Sequence, residues 1–204
     1  TAGDTGGAAG GAGGAGGAGA PSAGEAAIKE TKTISSIPAN TDTQILFTKA
    51  GLAVTEIELN LKTTMTMFII AVEKSSSKPS SVTEAIVPAK GKVYAYLTIT
   101  AQNLAESRIN SAKIKFNVSR SWLTQNNIDP STIALMRYSN NTWHKLMTTK
   151  ARETEMAYHF EADTPGFSVF AVVGETKQAA PAAPEPEPDV TKEPAPEAPK
   201  EETP

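Results

Sequence analysis

The chain contains no cysteine, which excludes disulfides, thiolate metal ligands and a cysteine nucleophile together. It has only two histidines, His144 and His159, and aromatic residues make up 6% of it, so a histidine-rich metal or acid–base centre is not expected. No apolar run approaches the roughly 18 residues that would mark a membrane-spanning helix. The formal charge is −3 with no basic stripe, so the composition argues against a nucleic-acid partner. The phosphate-cradling G-x-x-x-x-G-K-[ST] and the calcium loop D-x-[DN]-x-[DN]-G are also missing, so no cofactor or metal is expected. The first residue is Thr1 rather than methionine, which suggests a processed or excised piece whose signal and anchor lie outside it.

Glycine and proline, by contrast, are plentiful, and they are concentrated at the two ends. Residues 1–24 hold eleven glycines, with Gly-Gly-Ala repeating between Gly10 and Gly19. Such a run has almost no side chain to bury and the largest entropy to lose, so residues 1–26 are expected to form a flexible linker, with a mean reach of about 27 Å. Collagen is ruled out because glycine does not recur at every third position. Residues 181–204 hold eight prolines interleaved with Glu185, Glu187, Glu193, Glu197, Glu201 and Glu202. Fixed proline φ and like-charge repulsion favour an extended polyproline II-like tail over 178–204, up to roughly 75 Å long.

Residues 27–177 remain, enough for one self-sufficient core. Their hydrophobic period is two almost throughout, which predicts strands near 44–49, 54–61, 64–73, 93–100, 112–119, 132–138, 143–148, 156–162 and 168–173. The segment 66–72 is continuously apolar, as a central strand covered on both faces would be. In 93–100, Val93, Ala95, Leu97 and Ile99 fall on one face and Tyr94, Tyr96 and Thr98 on the other. The cleanest alternation places Ile114, Phe116 and Val118 inward and Lys113, Lys115, Asn117 and Ser119 outward. Residues 121–125 form one helical turn with Ser121 available as its N-cap. Ser139-Asn140-Asn141-Thr142 reads as a hairpin turn. Thr164-Pro165-Gly166-Phe167 joins the last pair of strands as a type II turn, with positive φ at Gly166. The fold class is therefore all-β: an antiparallel β-sandwich of eight to nine strands with one short helical turn.

Several segments together carry a family resemblance: Tyr94-Ala-Tyr96, Ala112-Lys-Ile-Lys-Phe-Asn-Val118, Ser121-Trp122-Leu123, Ile133-Ala-Leu-Met-Arg137-Tyr138, Asn141-Thr-Trp143-His-Lys-Leu146, and Thr164-Pro165-Gly166-Phe167-Ser168-Val-Phe170-Ala171. In this order they resemble the archaeal PGF-pre-PGF domain, over roughly residues 56–175. The resemblance implies a module of large archaeal cell-surface proteins, near a C-terminal sorting signal that is processed by an archaeosortase. That signal is not in this sequence, and Pro165-Gly166-Phe167 belongs to the domain rather than to a sorting tripeptide. The resemblance brings no catalytic residues.

The residues themselves offer three candidate features. His144 and His159 fall on separate predicted strands without nucleophile spacing, so no enzyme is expected. Trp122 and Trp143, with Tyr94, Tyr96, Tyr138 and Tyr158, are candidates for an aromatic face that stacks on sugar rings, or else cover the ends of the core. Asn117-Val118-Ser119 and Asn140-Asn141-Thr142 are sequons, which makes Asn117 and Asn140 candidate N-glycosylation acceptors. The expected role is a non-enzymatic, extracellular structural module linking a larger ectodomain to the envelope anchor, with other envelope proteins as partners. The alternatives are a carbohydrate- or cell-wall-binding module and a self-assembling layer or filament subunit built through exposed sheet edges.

Overall fold

The computed structural model describes residues 27–86 and 91–177. The expected linker 1–26 and tail 178–204 lie outside the described residues. Eleven strands form two antiparallel sheets packed face to face. In chain order they are β1 (Ile28–Ile37), β2 (Thr43–Leu46), β3 (Val54–Leu61), β4 (Met65–Ser75), β5 (Gly91–Gln102), β6 (Ile109–Ser119), β7 (Ala134–Ser139), β8 (Thr142–Lys145), β9 (Thr148–Glu153), β10 (Ala157–Thr164) and β11 (Val169–Glu175). The six-stranded sheet runs β1-β4-β5-β11-β7-β8 and the five-stranded sheet β2-β3-β6-β10-β9. Among the described residues, one α-helix, α1 (Arg120–Gln125), and two 3-10 turns accompany the strands. No described helix is long and apolar enough to cross a membrane.

Alternation explains the core. On β6, Ile114, Phe116 and Val118 are all at most 1% exposed, while Lys113, Lys115 and Asn117 face outward. Phe116 stacks on Phe160 of the neighbouring β10 at 5.6 Å between centroids. Phe68 and Phe170 fill the same interior from the opposite sheet.

The sandwich is the expected one, with two strands more than expected. Both extra strands are sheet edges, β1 and β9. β9 carries no fully buried residue, and on β1 the half-buried positions include Glu30 and Lys32, so neither shows an apolar stripe. β4 is an interior strand, as its composition suggested, but Ile69 and Ala71 on its second face are only half-covered.

Three local expectations are overturned. A bulge in the β5–β11 ladder places Val93 opposite Val173 but Ala95 opposite Val172. The extra residue reverses the phase, so Tyr94 packs into the main core and Val93 onto the outer face. The N-cap of α1 is Ser119, whose Oγ accepts from the Trp122 amide at 3.3 Å, and not Ser121. Finally, 164–168 is not a hairpin turn, because β10 and β11 belong to different sheets and the chain arches between them. Gly51 (φ +81°) is the only described glycine with positive φ, so Gly166 does not occupy a type II position. The arch is closed instead by Thr164, whose hydroxyl donates to the Gly166 carbonyl at 2.7 Å. At the β7–β8 hairpin, Asn140 (φ +52°) and Asn141 (φ +61°) form the anticipated turn.

Candidate functional site

The two tryptophans are not brought together. Trp122, on α1, packs against the main core and meets Tyr94 edge-on at 5.0 Å. Trp143, on β8, lies on the outer face of the six-stranded sheet beside Tyr138 (5.1 Å) and Tyr96 (6.3 Å). The β4–β5 connection covers that face. Val82 inserts between Tyr138 and Val169, the Thr83 hydroxyl lies 2.8 Å from the Tyr138 hydroxyl, and Trp143 Nε1 donates to the Glu84 carbonyl at 3.2 Å. Residues 76–86 therefore act as a strap, and Trp143 is half-buried beneath it. This outer cover explains why β11 is buried on both faces from Val169 through Gly174.

The sequons differ in setting. Asn140 is exposed at the hairpin tip, whereas Asn117 is half-buried on the interior strand β6, opposite His159. Ser119, the hydroxyl residue of the Asn117 sequon, is occupied as the helix cap. His144 and His159 lie in different sheets, on β8 and β10. Burial first, and then the positive charge of Arg152, lowers the pKa of His159 below its ordinary value. The outer face of the five-stranded sheet around it is a lattice of ion pairs: Lys115 with Glu56 (2.7 Å) and Glu58 (3.3 Å), and Lys113 with Glu161 (3.5 Å). Among the described residues, no three metal-ligating side chains converge.

The arch 164–168 instead helps to form a site that sequence reasoning missed. Arg137 of β7 is inward-facing and only 12% exposed at its side chain, and its Nη2 pairs with Glu106 Oε1 at 2.6 Å. Its Nε is the one buried side-chain nitrogen or oxygen without a hydrogen-bond partner among the described residues. Glu106 is held against Gly166, where an added Cβ would come within 2.4 Å of the Glu106 carboxyl carbon. A side chain at 166 would thus displace Glu106 from its present position, so the constraint on this glycine is a close approach and not a turn.

Glu106 also lines a groove of about 430 Å³. Its apolar lining is Ile99, Leu104, Ile109, Phe167 and Val169; Thr98, Thr100, Ser81 and Ser168 supply hydroxyls. Its size and mixed lining fit a small-ligand site. Phe167 was visible in sequence only as a turn residue, and Glu106 as one scattered carboxylate; only the arch brings them together. No protein-family model matches the chain, and no curated protein matches it.

Proposed function

We propose that this chain is a non-enzymatic structural module of a cell-surface protein of the archaeal PGF-pre-PGF kind, joining a larger ectodomain to the envelope anchor. The observation that carries this reading is the placement of the chain's two connections. Along β1-β4-β5-β11 the strands alternate in direction, so the start of β1 and the end of β11 lie at the same end of the six-stranded sheet. A glycine/alanine-rich segment precedes one point and a proline/glutamate-rich segment follows the other. A closed core with both connections at one end and spacer-like sequences beyond them suits a module suspended within a tether. The charged groups support the reading, since Lys113, Lys115, Arg120 and Arg137 are all engaged in cross-strand or cross-loop ion pairs. On this reading Asn140 is the glycan acceptor, because its hairpin is exposed, while Asn117 is screened by its own sheet.

Mild protease treatment of intact cells carrying the full-length protein tests the proposal. A fragment close to residues 27–177 should appear in the medium, and mass spectrometry should find added hexose mass on the peptide containing Asn140 and none on that containing Asn117. Protection of the antigen until the cells are lysed would overturn the surface assignment.

A further inference from the structure

A spacer role leaves the groove beside the arch unexplained. The groove exists because β5 outruns β11. β5 remains paired with β4 as far as Gln102 opposite Ile69, whereas its ladder with β11 stops at Thr98 opposite Val169, with one further bond from the Ile99 amide to the Ser168 carbonyl (2.9 Å). Beyond that point the chain crosses to the other sheet, leaving a hollow next to Thr100.

We infer that this groove binds a neutral saccharide ring. Its chemistry limits the alternatives. Among the described residues no cationic side chain lines it, Glu106 places a carboxylate at its edge, and Arg137 is already engaged by that carboxylate, so an anionic ligand finds no free counter-charge in the lining. A wholly apolar ligand would cover polar groups without satisfying them: Glu106 Oε2 and the hydroxyls of Thr98 and Thr100 make no hydrogen bond among the described residues. A pyranose meets both demands. Its C–H face lies against the half-buried ring of Phe167, and its hydroxyls donate to Glu106 Oε2 and exchange bonds with Thr98 and Thr100. Arg137 positions the receiving carboxylate by holding the other oxygen, Oε1, at 2.6 Å. This binding site is independent of the tether role; the strap contributes Ser81 to its lining, whereas Trp143 lies outside it, bonded to the Glu84 carbonyl.

The test is an NMR titration of the ¹⁵N-labelled full chain with three probes: cellohexaose, chitotriose and oligogalacturonate. At least one of the two neutral probes should give saturable shifts at the amides of residues 98–101 and 167–169, and oligogalacturonate should give none. Thr100→Val keeps a β-branched strand residue and should weaken binding by about fivefold or more, with the rest of the spectrum unchanged. Phe167→Ala should weaken it by about tenfold. Trp143→Phe should leave affinity unchanged. The inference is overturned if neither neutral probe gives saturable shifts, if the shifts map to Trp143 and residues 83–86 in place of residues 98–101 and 167–169, or if Thr100→Val binds as tightly as the parent.

Discussion

At the residue scale, Gly166 shows what a local turn pattern leaves out. Pro-Gly after a threonine has the composition of a type II turn, and the local pattern contains nothing against it. What local pattern cannot contain is Glu106, sixty residues earlier, whose carboxyl group occupies the space a Cβ would need. Gly166→Ala should therefore act through Glu106. The side chain of Glu106 is 53% exposed and can swing away, but Arg137, at 12%, then keeps a buried charge without its partner. We expect a loss of about 1–3 kcal/mol in chemical denaturation. In a Glu106→Ala background the same glycine substitution should be close to neutral, a coupling of about 1 kcal/mol or more. Equal cost in both backgrounds would locate the strain in the backbone instead. The same limit applies to the helix cap: Ser119 and Ser121 are equivalent by composition, and the cap is Ser119 because β6 stays extended through it and the helix starts at Arg120.

At the element scale, legibility followed burial. Strands with one face in the core, such as β3, β6 and β10, read directly from their alternation. Edges and covers did not: β1 and β9 carry the polar residues that edges require, and the strap 76–86 buries only isolated apolar residues, Val82 and Ile86, without a period. Tyr96 was assigned away from the core correctly, yet it is 9% exposed, since the strap and Trp143 build a second apolar cluster on that face. The most legible element also supports the sharpest packing prediction. Phe116 is 1% exposed and stacked on Phe160, so Phe116→Ala should cost about 3–5 kcal/mol in thermal or denaturant unfolding. Its neighbour Lys115 is outward but bridges Glu56 and Glu58, so Lys115→Ala should cost about 1 kcal/mol or less. Comparable losses from the two substitutions would mean that the ion-pair lattice, and not the interior, stabilises this sheet.

At the scale of the whole molecule, having both chain connections at one end determines how the domain responds to tension. β11 lies between β5 and β7 with its residues buried through Gly174, whereas β1 is an edge bonded along its length to β4 alone. Traction on the segment before Ile28 therefore opens the β1–β4 ladder pair by pair, from Ile28 opposite Lys74 toward Ile37 opposite Met65. Glu30 is the main brake near that end. Its carboxylate accepts the amides of Thr48 (2.9 Å) and Lys49 (2.8 Å) and pairs with Lys32 at 2.8 Å, while Lys49 Nζ donates to the Lys29 carbonyl at 2.8 Å. Burial alone would raise the Glu30 pKa; the bonds from Lys32, Lys49 and Thr48 outweigh it and leave the group below its ordinary 4.5. A carboxylate with a depressed folded-state pKa contributes stability that is complete above the unfolded value and is lost as pH falls through the folded one. Stretched between its two ends in an optical trap, the chain should first release β1, a gain of about 35 Å in contour length for its ten residues, and only then lose the rest cooperatively. Glu30→Gln, or a pH well below 4.5, should lower the force of the first event; at neutral pH the substitution should leave the second unchanged. Ile37, 0% exposed, and the bond from the Asn40 amide to the Leu61 carbonyl (2.7 Å) set where the peeling stops. Unfolding in a single step, or a first event insensitive to Glu30, would show that β1 is held by the sheet as a whole and that the tether transmits its load to the core directly.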